Sequence, residues 1–305
     1  MTHRPDRLRH GVVPVPEKNP EPMPERRLRL DISYDGTDFA GWAIQPGLRT
    51  VAGELTSALT TIVRTPVRLV VAGRTDAGVH AAGQVAHVDL PQAALLTVIP
   101  RDRADHPDPE RAGRLGLLRR LGGLLPPDVR VRAVLAAPEG FDARFSALRR
   151  RYRYRIGTAE WGVEPADRRF VYARRRTLDV EAMILAAQAL VGLHDFHAFC
   201  RPREGATTIR DLQELTVTRA GDEVRIDVVA DAFCHSMVRA LVGSLLAVGE
   251  LRMPTARPAE LLAAGERTSA FAVAPAHGLS LVGVDYPPPA ELARRAHDTR
   301  AVRSL

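Results

Sequence analysis

Across 305 residues the sequence has one lysine, Lys18, and two cysteines, Cys200 and Cys234. Two cysteines cannot staple a disulfide-rich secreted scaffold, and nothing around them has metal-ligand spacing, so no structural metal is expected. Both read as buried small hydrophobes with reduced thiols. No apolar stretch approaches the roughly 18 residues that span a bilayer, the longest lying around Ala240 to Gly249, and the N-terminus carries no signal-peptide apolar core. Without a nucleotide-binding glycine loop or a Cys/His cluster, no cofactor is expected either. His194, Asp195 and His197 are the nearest approach to a metal pattern, but a His-x-x-His pair on a loop with no third partner reads as a helix-end turn. These absences exclude membrane, secreted and metal-built classes and suggest a cytoplasmic protein.

What remains is ordinary globular composition with an uneven charge. Hydrophobic residues make up 45% and charged residues 26% of the chain, and the length suits two domains. The net charge is +7. From Arg144 to Arg176, eleven arginines stand against Glu160, Glu164 and Asp167, a local +8, so the rest of the chain nets −1. Arginine-rich composition explains the missing lysines but not this clustering, which is the footprint of a phosphate-binding surface.

Six prolines in the first 26 residues mark a disordered extension over 1–26. Strict alternation from Arg27 puts Leu28, Leu30 and Ile32 on one face of a strand. Thr50 is a plausible N-cap for a helix burying Leu55, Ala58, Leu59 and Ile62. Strands follow at 67–72, 84–90 and 129–134, with a leucine-rich helix over 110–121. A second unit begins near Phe145: a strand over 152–156, a helix capped by Asp179, a hairpin of 212–218 and 223–229, a helix over 235–248 and a strand over 279–285. The shared grammar predicts two similar α+β domains, 27–144 and 145–287, followed by an exposed tail, 288–305.

Gly73-Arg-Thr-Asp-Ala-Gly-Val-His80 is the segment that most invites a chemical reading. A buried strand hands over to a turn bracketed by Gly73 and Gly78, which presents Asp76 on a firmly shaped loop, with Arg74 two residues back as a counter-charge. The same carboxylate would equally close an Asx-turn. Further on, Arg149-Arg-Arg-Tyr-Arg-Tyr-Arg155 alternates. Tyr152 and Tyr154 share one strand face while Arg151, Arg153 and Arg155 share the other, a pattern suited to stacking a base and gripping phosphates.

Those residues, with Tyr34-Asp-Gly-Thr, Gly41-Trp42, Ala143-Arg-Phe-Ser and Phe233-Cys-His-Ser-Met-Val-Arg239, resemble the tRNA pseudouridine synthase A family, in the same order over most of the chain. The resemblance implies an enzyme that isomerises uridine to pseudouridine at positions 38–40 of the tRNA anticodon arm, without cofactor or metal. It also implies two ferredoxin-like α/β domains whose antiparallel sheets join into one extended sheet with a basic cleft, and a homodimer. By resemblance Asp76 is the catalytic carboxylate and nucleophile, and Tyr152 stacks on the target uracil. Arg74 takes the space of the flipped base, Phe141, Asp142, Ala143, Arg144 and Phe145 touch RNA, and Arg239 contacts the substrate.

The chemistry agrees. The reaction breaks the bond from ribose C1′ to base N1 and rejoins the base through C5, so it needs a carboxylate that attacks C1′ or acts through the base. Some positions depart from the family pattern: Ala43 follows Gly41-Trp42 in place of Gln, Gly122 replaces an Asn, Asp142 replaces a His, and an Arg near Ala206 is absent. The departures motivate an alternative, an RNA-binding protein of the same fold with little or no catalysis. Asp142 is the oddest of them, since a carboxylate beside a phosphate track repels RNA.

Overall fold

The computed structural model describes residues 25–201, 207–266 and 268–300. In chain order the elements are β1 (Glu25–Tyr34), α1 (Val51–Val63), β2 (Leu69–Val71), β3 (His80–Pro91), α2 (Gln92–Leu96), α3 (Pro109–Leu124), β4 (Val129–Ala136), β5 (Arg149–Gly157) and β6 (Tyr172–Ala173). There follow α4 (Val180–Gln188), β7 (Gly192–Asp195), β8 (Ile209–Ala220), β9 (Glu223–Ala230), α5 (Met237–Gly249), α6 (Arg257–Ala264), β10 (Leu279–Asp285) and α7 (Leu292–Arg300). Local chemistry accounts for the helix starts. The Thr50 hydroxyl accepts from Gly53 N at 3.2 Å, and the Asp179 carboxylate accepts from Ala182 N at 3.0 Å, so each satisfies an otherwise orphaned donor of the first turn.

The ten strands form one sheet in the order β4-β1-β3-β10-β5-β9-β8-β7, with β2 paired to β3 and β6 to β5. This is the single joined sheet that the family resemblance implies. Each half is antiparallel along this order, and they meet where β3 and β10 run parallel through the pairs His80↔Ser280 and Ala81↔Leu281. The seam is close. A Cβ on Gly83 would stand 2.4 Å from the Val282 carbonyl oxygen, so only glycine lets the two backbones approach. Leu28, Leu30, Ile32 and Tyr34 of β1, and Tyr152, Tyr154 and Ile156 of β5, are all buried in the main core. Among the helices, α3 packs on β4 and α1, and α4 on β8 and α5.

Two expectations about the chain ends change. The extension expected over 1–26 lies outside the described residues as far as 24, while Glu25 and Arg26 already belong to β1. The tail expected over 288–305 contains α7, which buries Leu292 and Ala296, and the Leu292 carbonyl accepts from the buried Ser146 hydroxyl at 3.1 Å. Two apolar contacts in nine residues give too faint a periodicity to announce a helix.

Buried histidines make stability depend on pH. Gly36 N donates to His80 Nδ1 at 2.9 Å and Ala143 N donates to His87 Nδ1 at 3.0 Å, so both rings are held neutral as acceptors. Burial pulls the pKa of His80, His87 and His277 below the ordinary 6.5. The unfolded chain therefore binds more protons than the folded one as pH falls through 6.5, and stability is lost there. The lowered carboxylates Asp89, Glu223 and Glu250 add their losses only at lower pH. Urea unfolding should show a drop in stability already between about pH 7.5 and 5.5. A flat profile over that window would mean that these rings titrate normally in the fold.

Candidate active site

Asp76 lies on the loop between β2 and β3, and that loop is held at nearly every residue. Arg150 donates to the Ala72 carbonyl through Nε at 3.2 Å and a terminal nitrogen at 2.7 Å. Gln84, fully buried, donates to the Gly73 carbonyl at 2.8 Å and to the Tyr34 hydroxyl at 3.3 Å, and that hydroxyl meets the Thr75 hydroxyl at 2.7 Å. Burial pushes the Tyr34 phenol up to about 12, so it remains a neutral bridging group. Trp42 N donates to the Thr75 carbonyl at 3.0 Å. Gly41, at φ +95°, lets this contact form, because a Cβ there would come within 2.8 Å of that same oxygen. The segments around Tyr34 and Gly41-Trp42 are thus the scaffold of the Asp76 loop.

The carboxylate itself meets the start of α5. Ser236 Oγ donates to Asp76 Oδ2 at 3.2 Å, an Arg239 terminal nitrogen lies 3.7 Å from Oδ2, and His235 Nε2 lies 3.5 Å from Oδ1. Arg239 is aimed by its Nε, which donates to the Ala274 carbonyl at 2.8 Å. The counter-charge expected from Arg74 therefore comes from Arg239 instead. Arg74 is exposed, since its neighbours turn inward on the loop and it turns out.

Ser236 carries a cost that explains its role. It occupies the N-cap position of α5 in the left-handed region, φ 63°, yet its side chain makes no capping hydrogen bond. The hydroxyl serves Asp76 instead. A non-glycine residue there stores on the order of 1 kcal/mol of strain. Ser236→Gly should keep or slightly raise the unfolding free energy while lowering turnover several-fold. Paired denaturation and rate measurements check this, and an unchanged rate would make the hydroxyl incidental.

Tyr152 is only 7% exposed, with the Phe233 ring perpendicular to it at 5.1 Å, and burial, with the Asp76 charge adding to it, drives its phenol pKa up. Ser236 and Arg239 also line a cavity of about 390 Å³ together with Cys200 and Phe271. A carboxylate with one counter-charge and one hydroxyl donor, neighboured by a tyrosine and a cavity, can act as a nucleophile or proton acceptor.

Comparison with known proteins shows the family of the chain. The chain is 59% identical to tRNA pseudouridine synthase A of Mycobacterium leprae, over 91% of its length and 96% of the relative's. The chain belongs to the tRNA pseudouridine synthase A family. The protein of that name from Frankia casuarinae is also 59% identical, over 91% of this chain and 95% of the relative. A sequence profile described as tRNA pseudouridine synthase matches residues 186–287. Among solved structures, a Cbf5-Nop10-Gar1 complex aligns over 72% of this chain and 45% of that chain, at a TM-score of 0.31 and 11% identity.

Other RNA contacts suggested by resemblance to the pseudouridine synthases divide sharply. Arg144 is exposed, its guanidinium 5.0 Å from the Phe145 ring centre, and Phe145 is half-buried. Phe141 and Ala143 are core residues, 2% and 0% exposed, so neither can touch RNA in this conformation; Phe141 packs against the Tyr286 ring. Asp142 ceases to be odd, because Oδ1 accepts from the backbone N–H groups of Arg144 and Phe145 at 2.8 and 2.9 Å. It closes the turn that displays Arg144. Gly122 sits exposed near the end of α3 with open space where a side chain would stand, Ala43 is half-buried, and Ala206 lies outside the described residues.

The arginine face of β5 is also not what its spacing suggests. Arg151 pairs with Asp285 at 3.1 Å, Arg153 with Asp227 at 2.8 Å, and Arg155 with Glu223 at 2.7 Å and Asp167 at 3.1 Å. Arg150 is inside the protein. The face of Arg151, Arg153 and Arg155 expected to grip phosphates thus has cross-strand carboxylates, distant in sequence, as its partners in this structure. Cys200 and Cys234 are likewise not separate thiols but a disulfide, with Cα atoms 5.7 Å apart. Reading the sequence missed Gln84 and Ser236 as site residues. The Ser-Met-Val-Arg segment was visible, but its contact with Asp76 spans 160 positions.

Proposed function

We propose that this protein isomerises uridine to pseudouridine in the anticodon arm of tRNA, with Asp76 as its catalytic carboxylate. The observation that carries this reading is the Asp76 constellation: one carboxylate on a loop fixed by Arg150, Gln84 and Trp42, with Arg239 and Ser236 on Oδ2 and Tyr152 close by. Arg239 supplies a counter-charge while Asp76 acts on C1′ or the base, and needs no redox partner to do so. Tyr152 gives the extruded uracil a ring to stack on, worth about 1–3 kcal/mol against an unstacking cost of similar size. Arg74, exposed beside Asp76 in sequence, takes the vacated place in the RNA stack. The same family reading carries a homodimer and residence in the cytoplasm; light scattering on the purified protein tests the first.

Purified protein on unmodified tRNA transcript should yield pseudouridine at anticodon-arm uridines, located by carbodiimide-dependent primer stops. Binding without product would favour an RNA-binding protein of the same fold. For the RNA grip, exchanging both Arg74 and Arg144 for alanine should reduce the slope of log K against log salt by roughly 1.5, at about 0.7–0.9 per phosphate contact. Arg151→Ala should leave the slope unchanged, because Asp285 already neutralises that arginine. Equal changes from the two variants would return the β5 ladder to the RNA interface.

A further inference from the structure

We propose that Cys200 and Cys234 form a reversible thiol–disulfide clamp on the loop that positions Ser236 against Asp76. The loop in question, residues 231–236, connects β9 to α5 and contacts Arg150, Tyr152 and Asp76. The Asp231 carbonyl accepts from Arg150, the Phe233 ring stands against Tyr152, and His235 and Ser236 face Asp76. Cys234 sits in the middle of these contacts. Its partner Cys200 ends the short helical turn His197–Phe199, and the next residue, Arg201, donates its backbone N–H to the His235 carbonyl at 3.0 Å.

Three observations make the bond a control point rather than a simple staple. The Cα separation of 5.7 Å lies within the roughly 4.4–6.8 Å that lets a disulfide form without moving the backbone. Ser236 is held in a left-handed conformation that an unconstrained loop abandons, so the segment needs anchoring on its N-terminal side, two residues from Cys234. And the two residues differ in access: Cys200 is 3% exposed and lines the cavity shared by Ser236 and Arg239, while Cys234 is only half-buried.

The oxidant is a low-molecular-weight disulfide, and the exchange balances. The Cys234 thiolate attacks one sulfur of RS–SR, forming a mixed disulfide and releasing one RS⁻. The Cys200 thiolate then attacks the Cys234 sulfur, forming the Cys200–Cys234 bond and releasing the second RS⁻. The protein loses two electrons and two protons, and the small disulfide leaves as two thiols. A dithiol reverses both steps. Closing the bond holds Ser236 on Asp76 and the Phe233 ring on Tyr152; opening it lets the left-handed turn relax and draws the hydroxyl away from the carboxylate.

The test uses the whole protein equilibrated in oxidised glutathione or in dithiothreitol. Intact mass and alkylation should show loss of two hydrogens and both thiols on oxidation. Hydrogen exchange at 231–236 should slow several-fold in the oxidised form. On tRNA, kcat should be several-fold higher oxidised than reduced, with little change in KM. Cys234→Ser should match the reduced protein and ignore oxidant, and Cys200→Ala should behave alike if the serine variant folds poorly. Failure to form the bond, equal rates in the two states, or a faster reduced enzyme would each overturn the clamp. The exchange measurement needs no turnover, so a protein that makes no pseudouridine would refute the proposed function without touching this result.

Discussion

Asp76→Asn should abolish pseudouridine formation, by at least about 10⁴-fold in kcat, while leaving the fold and tRNA affinity nearly intact. The change removes one charge and no volume. Ser236 Oγ can still donate to the remaining carbonyl oxygen, and the loop is held by backbone and buried side chains that do not involve the carboxylate. Stability should therefore stay within about 0.5 kcal/mol of the parent. The lost chemistry is specific, because an amide neither attacks as a nucleophile nor accepts a proton at neutral pH. Mapping pseudouridine by carbodiimide stops, with filter binding on the same preparation, separates the two effects. Residual turnover within tenfold of the parent would make Asp76 a turn-closing residue and move the chemistry elsewhere. Loss of binding in step with loss of product would instead make it an RNA contact.

The sequence reveals this site only in part, for a physical reason. Signals with short range were legible: the Thr50 and Asp179 caps, the alternation of β1, the bounds of β10, and the turn that presents Asp76. Features that depend on partners far along the chain were not. The arginines of 144–176 count as eleven positive charges in the sequence, but Asp227 and Asp285 come back across neighbouring strands to meet Arg153 and Arg151 on β5. The motif around Phe141–Phe145 reads as one RNA-facing stretch, whereas the fold buries Phe141 and Ala143 and shows Arg144. Motif spacing identifies which residues are used together, and burial then assigns some of them to holding and others to touching.

Arg150 is the strongest instance of a residue moved from touching to holding, and its removal should be the most damaging change to the fold considered. Its side chain is 7% exposed, and its donors reach the carbonyls of Ala72, Arg144 and Asp231. Those carbonyls begin the Asp76 loop, precede Phe145, and begin the loop that ends in Ser236. One guanidinium thus joins the two loops whose ends meet at the carboxylate. Arg150→Met keeps the length of the stem and strands three acceptors, the buried Ala72 and Asp231 carbonyls and the partly buried Arg144 carbonyl, each worth up to about 1–3 kcal/mol when unsatisfied. Relaxation makes the sum smaller than three separate penalties, so a loss of roughly 3–5 kcal/mol is expected in urea unfolding. That is a large share of the 5–15 kcal/mol typical of a folded protein. Arg150→Lys should recover little, because a single ammonium cannot span three carbonyls arranged for a planar fork. Turnover should fall further than the unfolded fraction explains, since both loops lose their common anchor. Rates taken at low temperature, where the variant is folded, separate the two contributions. Full activity under those conditions would show that the loops keep their geometry without Arg150, leaving it a purely structural residue.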